Sequence, residues 1–253
     1  MNSLQKFYIK CPVCDAILSG KIHESLGINC TELYSDGKMI CDELLSEPQL
    51  IVQCPSCSHI FWKDETTSVA VSGHITNERA NKVAIYPYSS WYLFGANPNR
   101  SQGKIALIQH FTQLLTYLRP LNSKQEIYLR KSLLWAYNDL IRRNYSFTFL
   151  DFLKGKISYG TWRHERNHRL IESFYFLKYT QSYKSNIKRI IDILRSAQDK
   201  EVDKVYLAEL YRLKGNFDKA VEILNELKRS THYVTMIRSK ALKRNSTVFK
   251  VAG

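Results

Sequence analysis

Two pairs of cysteines near the N-terminus have the spacing of metal ligands. Residues 11–14 read CPVC and residues 54–57 read CPSC, so each segment separates its two thiols by two residues. Such a pair can bind one ion if the chain turns sharply between the cysteines, and Pro12 and Pro55 fix φ for such a turn. Two pairs supply four sulfurs, which suits tetrahedral Zn²⁺ in a closed structural site. We therefore predict one structural zinc ion per chain, bound by Cys11, Cys14, Cys54 and Cys57.

The 39 residues between the two pairs must fold back so that the thiols can meet. Asp36-Gly37 is flanked by apolar and aromatic residues, which predicts a β-hairpin with a two-residue loop. Residues 59–62, HIFW, predict a strand directly after the second pair. The sequence thus predicts a small β-rich domain around the metal. A thioredoxin-like redox pair would need a βαβ context, and none follows either motif.

The remaining cysteines, Cys30 and Cys41, flank the predicted hairpin. On that hairpin they are diagonal neighbours on one face, about 7 Å apart, which is too far for a disulfide. We expect half-buried thiols. The alternative is that they act as substitute ligands, or as a second metal site with His23 or His59. His59 itself is better explained as a surface residue of a strand.

Charge divides the chain into an acidic head and a basic body. The net charge is +14, but residues 1–75 hold five Lys/Arg and nine Asp/Glu, which is −4 and leaves +18 for the remainder. The composition is that of a folded protein, without a leader or an apolar run of about 18 residues. We therefore expect a cytoplasmic protein in a reducing compartment, without a membrane partner.

Helical periodicity begins near residue 103. The first predicted helix ends at Pro120, and Ser123-Lys-Gln-Glu126 is a capping box that predicts the start of a second. Thr161 is the predicted cap of a third helix and Ser185 of a fourth. Apolar residues at helical spacing predict the buried faces of these helices; in the third they are Leu170, Ile171, Phe174 and Leu177.

Residues 207–227, LAELYRLKGNFDKAVEILNEL, read as helix, tight turn and helix. Gly215 suits the left-handed cap between them, and Ala220 is small enough for close helix packing. The spacing resembles one tetratricopeptide repeat, although an ordinary helical hairpin also explains it. We predict an α+β protein with a zinc-ribbon-like domain (1–75), a linker or ordered loop (76–102) and an α-helical, tetratricopeptide-like domain (103–253).

The combination of CPVC, SDGK at residues 35–38, CPSC and the helical C-terminal half resembles a group of uncharacterised bacterial zinc-ribbon proteins. The segment LRKSLLWAYNDLIRRN, residues 129–144, is similar to their middle helix. The resemblance implies the same four zinc ligands: Cys11, Cys14, Cys54 and Cys57. This chain departs from the group at Asp15 and Ser58, where a glycine commonly follows each cysteine pair.

Three functions are compatible with these features. The first is a non-catalytic interaction or scaffold protein, in which a structural zinc site accompanies a basic helical body that binds another, acidic protein. The alternative is a nucleic-acid-binding protein. Its support is the run 154–184, which mixes basic residues with Tyr159 and Trp162, although we favour a helix whose rings lie in the core.

The third function is a zinc peptidase, because residues 164–168 (HERNH) match HExxH. In that motif two histidines hold zinc and the glutamate activates water. Here Arg163, Arg166 and Arg169 oppose the binding of a dication, and no convincing third ligand follows. We therefore predict that the chain is not an enzyme.

Overall fold

The computed structural model describes residues 4–23, 30–41, 50–66, 81–82, 84–85, 100–119, 121–142, 149–196 and 201–252. Strands dominate the N-terminal part and helices the rest, which confirms the predicted α+β class. No helix in these described ranges is both long and apolar enough to cross a bilayer. The strands are β1 Leu4–Lys10, β2 Ile17–His23, β3 Cys30–Tyr34, β4 Met39–Cys41, β5 Ile51–Gln53, β6 Ile60–Trp62, β7 Asn81–Lys82, β8 Ala84–Ile85 and β9 Lys250–Ala252. The helices are α1 Arg100–Tyr117, α2 Ser123–Asp139, α3 Phe149–Leu153, α4 Tyr159–Ser196, α5 Glu201–Lys214, α6 Phe217–Asn225 and α7 His232–Leu242.

The chain forms two compact units that are not contiguous in sequence. The first consists of Met1–Thr31 and Ile40–Leu93, and the second of Glu32–Met39 and Phe94–Gly253. The eight residues 32–39 thus belong to the helical unit although cysteine pairs flank them on both sides. No sequence pattern indicates this exchange. The predicted linker, residues 76–102, lies mostly outside the described residues.

The first unit is built on two antiparallel strand pairs. Strand β1 pairs with β2 so that Lys10 lies opposite Ile17, and β5 pairs with β6 so that Gln53 lies opposite Ile60. Strand β7 adds in parallel to β2, and β8 adds antiparallel to β5. One buried core joins the two pairs and consists of Ile9, Cys11, Leu18, Val52, Cys54 and Phe61. Two thiols are therefore part of the apolar core.

The hairpin predicted at Asp36-Gly37 is present, but its loop is one residue longer. The N–H of Tyr34 donates to the carbonyl of Lys38 at 2.9 Å, so Ser35, Asp36 and Gly37 form a three-residue loop. Gly37 has φ 78°, the left-handed conformation that such a loop requires. Strand β9 pairs antiparallel with β3, with Ala252 opposite Leu33. This C-terminal strand was not predicted.

The first two helices lie close to their predicted positions. The apolar residues at helical spacing in α1 predict its buried face: Ile105, Ile108 and Leu115 are buried, whereas Leu118 is half-buried. The N-cap of helix α2 is Asn122, whose side-chain oxygen accepts a hydrogen bond from the N–H of Gln125 at 2.9 Å. The predicted box starting at Ser123 is therefore wrong by one residue. The short side chain of Asn122 reaches the N–H three residues ahead. Gln125 completes the capping box because its side-chain oxygen accepts from the N–H of Asn122.

The predicted third and fourth helices are a single helix, α4, of 38 residues. Ser185 lies inside it, and the side chain of Ser158, not of Thr161, caps its start by accepting from the N–H of Thr161 at 3.1 Å. In its C-terminal part the apolar residues at helical spacing predict a buried face: Ile187, Ile190 and Ile191 are buried, and Leu194 is half-buried. The predicted buried face of its N-terminal part is instead exposed: Leu170, Ile171, Phe174 and Leu177.

The helical hairpin predicted for residues 207–227 is confirmed as α5 and α6. Gly215 between them has φ 90°, and its N–H donates to the carbonyl of Arg212 at 3.0 Å. Asn216 caps α6 through its side chain. Ala208 and Ala220 are fully buried, which allows the two helices to pack closely. Helix α7 packs in turn against α6.

Candidate metal centre

Each predicted cysteine pair occupies the turn between two antiparallel strands, and we call residues 11–16 and 54–59 the two knuckles. The N–H of Cys11 donates to the carbonyl of Ala16 at 2.9 Å, and the N–H of Asp15 donates back to the carbonyl of Cys11 at 3.1 Å. The second knuckle repeats this pattern, with both distances 2.8 Å. The two turns therefore share one backbone design.

The residue after each cysteine pair has a positive φ. Asp15 has φ 58° and Ser58 has φ 61°, which is the left-handed region that favours glycine. The chain thus keeps the turn without glycine and bears some backbone strain at both positions. The tight turn directs both cysteines of a knuckle toward the same point.

The four thiols converge. The Sγ atoms of Cys11 and Cys57 are 3.7 Å apart, and those of Cys14 and Cys54 are 3.6 Å apart. All four sulfurs lie within 4.8 Å of one another. Four sulfurs at about 2.3 Å from a tetrahedral zinc ion would be about 3.8 Å apart, so the spacing fits a metal of this size. We call these four residues the thiol tetrad.

The burial of the tetrad alternates within each knuckle. Cys11 and Cys54 are fully buried, whereas Cys14 and Cys57 are exposed. Burial opposes the ionisation of Cys54, but the backbone N–H groups of Cys57 and Ser56, together with the neighbouring thiols, lower its pKa to about 7. The backbone of Ala16 lowers the pKa of Cys14, but local desolvation and hydrogen bonds with the other three thiols raise it to about 12. Four crowded thiols thus resist joint ionisation, and a bound dication removes that obstacle.

The other predicted candidates around this centre contribute less. His59 belongs to the second knuckle through its carbonyl, which accepts from the N–H of Cys54, and its ring stacks on Phe61 with centroids 6.0 Å apart. The side chains of Cys30, Cys41 and His23 lie outside the described part of the structure.

A second constellation surrounds the loop of residues 35–38 in the helical unit. Asp36 is fully buried, and it forms an ion pair with Arg142 and accepts from the side-chain amide of Asn138 at 2.8 Å. The indole N–H of Trp135 donates to the carbonyl of Asp36 at 3.0 Å. Lys38 Nζ lies 2.6 Å from Asp139 Oδ2. Three residues of α2 and Arg142, which follows this helix, therefore hold the loop directly.

Charge balance explains why these groups tolerate burial. Arg142 bridges Asp36 and Asp139, and its guanidinium also lies over the ring of Tyr34, 4.3 Å from the centroid. Burial lowers the pKa of Lys38 to about 8, while the carboxylate of Asp139 opposes this shift. Each acid thus has a basic partner, as a buried charge requires. We call this set the loop network.

Helix α5 adds a pair that was not predicted from the sequence. Arg212 and Glu209, both fully buried, form two hydrogen bonds of 2.6 and 2.7 Å. Arg212 also reaches the hydroxyl of Ser35 at 3.4 Å, and Tyr233 of α7 donates to the carbonyl of Ser35 at 2.7 Å. In the sequence, this buried pair is indicated only by the spacing of Glu209 and Arg212, which lie three residues apart on a side of α5 that is otherwise apolar.

The HExxH-like motif lies on the exposed part of α4. The Nε2 atoms of His164 and His168 are 3.0 Å apart, and His168 Nδ1 lies 2.7 Å from the hydroxyl of Ser101. Within the described ranges, three or more potential metal-ligating side chains converge only at the thiol tetrad. The two histidines are therefore not joined there by the third protein ligand that a peptidase site needs.

No protein-family model, curated protein or solved structure matches this chain. The zinc-ribbon and tetratricopeptide resemblances therefore stay predictions, and function has to be argued from the two constellations and the surface of the helical unit.

Proposed function

We propose that the chain is a non-catalytic interaction protein in which a structural zinc ion stabilises a ribbon-like head and a basic helical body binds an acidic protein. The observation that carries this proposal is the distribution of charge in the helical unit. Its buried acids are paired with buried bases, as in Asp36 with Arg142 and Glu209 with Arg212. Much of the exposed surface of α4 is basic, including Arg163, Arg166, Arg169, Lys178, Lys184 and Lys188.

The proposed role of zinc is structural because the protein supplies all four ligands. A closed tetrahedral site leaves no position for a substrate or a catalytic water. The metal would join the two knuckles, and with them β1, β2, β5 and β6, into one folded unit. Zinc is redox-silent, and thiolates suit it in a reducing compartment.

The proposed body is an array of helical hairpins. Helices α5 and α6 form one such hairpin, and α7 packs against α6. This arrangement supports a tetratricopeptide-like architecture with one well-formed unit. Stacked hairpins present extended surfaces for partners, which fits an interaction protein.

Nucleic-acid binding is the second candidate. Tyr159 is exposed, and Arg166 lies 5.5 Å from the centroid of the Trp162 ring. However, Trp162 also packs against Phe149 and Phe152, with centroid separations of 5.4 and 5.9 Å. An aromatic side chain engaged in this way is a poor stacking platform for a base, so a protein partner is the better explanation.

The proposal is tested by affinity capture with the full chain from its native host, in parallel with and without nuclease. We expect an acidic protein that is retained after nuclease treatment and eluted by salt. An Arg163→Glu/Arg166→Glu variant should no longer capture this acidic protein. The Cys54→Ser variant should lose the zinc ion. Capture that vanishes with nuclease would favour the nucleic-acid alternative and overturn the proposal.

A further inference from the structure

The N-terminal half of α4 exposes large apolar side chains along one face. Leu170, Phe174 and Leu177 are 59%, 64% and 73% exposed, and Ile171 beside them is 44% exposed. Residues at i, i+4 and i+7 lie on one face of a helix, so the first three form a continuous apolar stripe about 10 Å long. Folded proteins seldom expose adjacent large apolar residues without a partner.

The exposure of this stripe follows from how the helix is fixed. Glu172, which lies on the opposite side of α4 from Leu170, is buried and pairs with Lys104 of α1 at 2.7 Å. His168 is fixed to α1 by its contact of 2.7 Å with Ser101. These polar contacts attach one face of α4 to the helical unit and turn the apolar stripe away from it.

Basic side chains lie at both ends of the same face. Arg163 and Arg166 precede the stripe, and Lys184 and Lys188 follow it, all of them exposed. Helix α4 holds three acids: Glu172 is paired with Lys104, Glu165 lies on the other side of the helix, and Asp192 lies one turn beyond Lys188. The face is therefore apolar in its centre and positive at its ends.

We propose that this face binds an amphipathic α-helix of another protein, with apolar residues at its centre and acidic residues at both ends. This inference rests on the proposed function and assigns its site and the chemistry of the partner. Arg163 and Lys184 are about 32 Å apart along the helix axis, so a partner helix of about 20 residues spans both basic ends. Apolar contacts supply affinity, and the charged ends set orientation and selectivity.

A second copy of this chain does not fit the same face. Antiparallel pairing centred on Phe174 would place Arg163 of one copy near Lys184 of the other. Parallel pairing would place each basic residue beside its own equivalent. Both arrangements bring like charges together, which opposes association.

The test uses two synthetic peptides of about 20 residues and the full chain. Both peptides carry the same central leucines at i, i+4 and i+7; one has glutamates in its terminal turns and the other has lysines. Calorimetry should show that the glutamate peptide binds at least about tenfold more tightly than the lysine peptide. Phe174→Ser/Leu177→Ser should weaken its binding at least about tenfold, because two apolar contacts are lost.

Two further variants make the test specific. Arg163→Glu/Arg166→Glu should weaken the binding of the glutamate peptide and strengthen the binding of the lysine peptide. Leu242→Ser removes a leucine of α7 that is 67% exposed and lies outside the stripe, so binding should not change. All these side chains are exposed, and circular dichroism verifies that each variant is folded.

Equal binding of the two peptides, or unchanged binding by the serine variants, would overturn the inference. So would stripe-dependent self-association in sedimentation equilibrium, or stripe-dependent binding to phosphatidylglycerol vesicles without binding to the peptide. Affinity capture separates the two proposals. If the serine variants still capture the acidic host protein, the proposed function stands and its binding site lies elsewhere. If the wild-type protein captures no acidic protein, the proposed function itself is contradicted.

Discussion

Asp36 accepts a hydrogen bond of 2.8 Å from the side-chain amide of Asn138, although 102 positions separate the two residues in the chain. Arg142, which lies four positions after Asn138 and beyond the end of α2, pairs with the same carboxylate. A loop flanked by two cysteine pairs is thereby part of the interior of the helical unit.

Replacing Asp36 should destabilise the helical unit strongly. Asp36→Ala removes the acid that Arg142 pairs with and leaves buried polar groups unmatched, so we expect a loss of about 3–5 kcal/mol in the free energy of unfolding. Asp36→Asn keeps the shape and an acceptor for Asn138, and it should cost less. Urea unfolding followed by far-ultraviolet circular dichroism measures both. Asp192→Ala, at an exposed acid on α4, is the control and should change stability by less than about 0.5 kcal/mol.

The thiol tetrad should determine the metal content. We expect one zinc ion per chain in elemental analysis, its loss in Cys54→Ser, and protection of the four thiols against alkylation until a chelator is added. His164→Ala should leave the zinc content unchanged, because the histidine pair on α4 has no converging third ligand in the described part of the chain. A second zinc that disappears in His164→Ala would contradict this prediction and support the peptidase hypothesis.

The positive φ angles at the turns should appear as changes in stability. Ser58→Gly relieves left-handed strain at φ 61° and should stabilise the first unit by about 0.5 kcal/mol with unchanged zinc content. Gly37→Ala should have the opposite effect and cost about 1 kcal/mol. A Cβ at Gly37 meets no atom within 4 Å, so the cost would come from φ 78° alone. Chemical denaturation of the zinc-loaded protein measures both effects. If Gly37→Ala leaves the free energy of unfolding unchanged, the loop adapts to the added side chain and the prediction is wrong.

Glu126 should contribute to the pH dependence of the stability of the helical unit. Hydrogen bonds from Arg189, and then from Arg130, lower the pKa of Glu126 from 4.5 to about 2 despite partial burial. A lowered pKa means that the stabilising contribution is present above about pH 4.5 and is lost as the pH falls toward 2. Glu126→Gln should therefore reduce the slope of the unfolding free energy against pH between these two pH values. Glu222→Gln, at an exposed acid of α6, should keep the wild-type slope.

Local patterns were sufficient for the thiol tetrad and the hairpin of α5 and α6. A C-x2-C turn and a left-handed Gly215 are each determined by a few neighbouring residues, so spacing predicts them. The pairing of Asp36 with Arg142 depends on contacts across about a hundred positions, which spacing does not encode. The stripe of Leu170, Phe174 and Leu177 has the period of a buried face, but periodicity does not tell whether the covering surface comes from the same chain.

The exchange of residues 32–39 into the second unit has a consequence for dissecting the protein. A fragment that starts after residue 75 would lack Ser35, Asp36 and Lys38, so Arg142 and Asp139 would lose partners supplied by the removed piece. Cutting at the apparent composition boundary therefore divides one hydrophobic and ionic interior between two polypeptides. The two pieces are expected to behave as a complementation pair that must reassociate, and not as separately expressible domains.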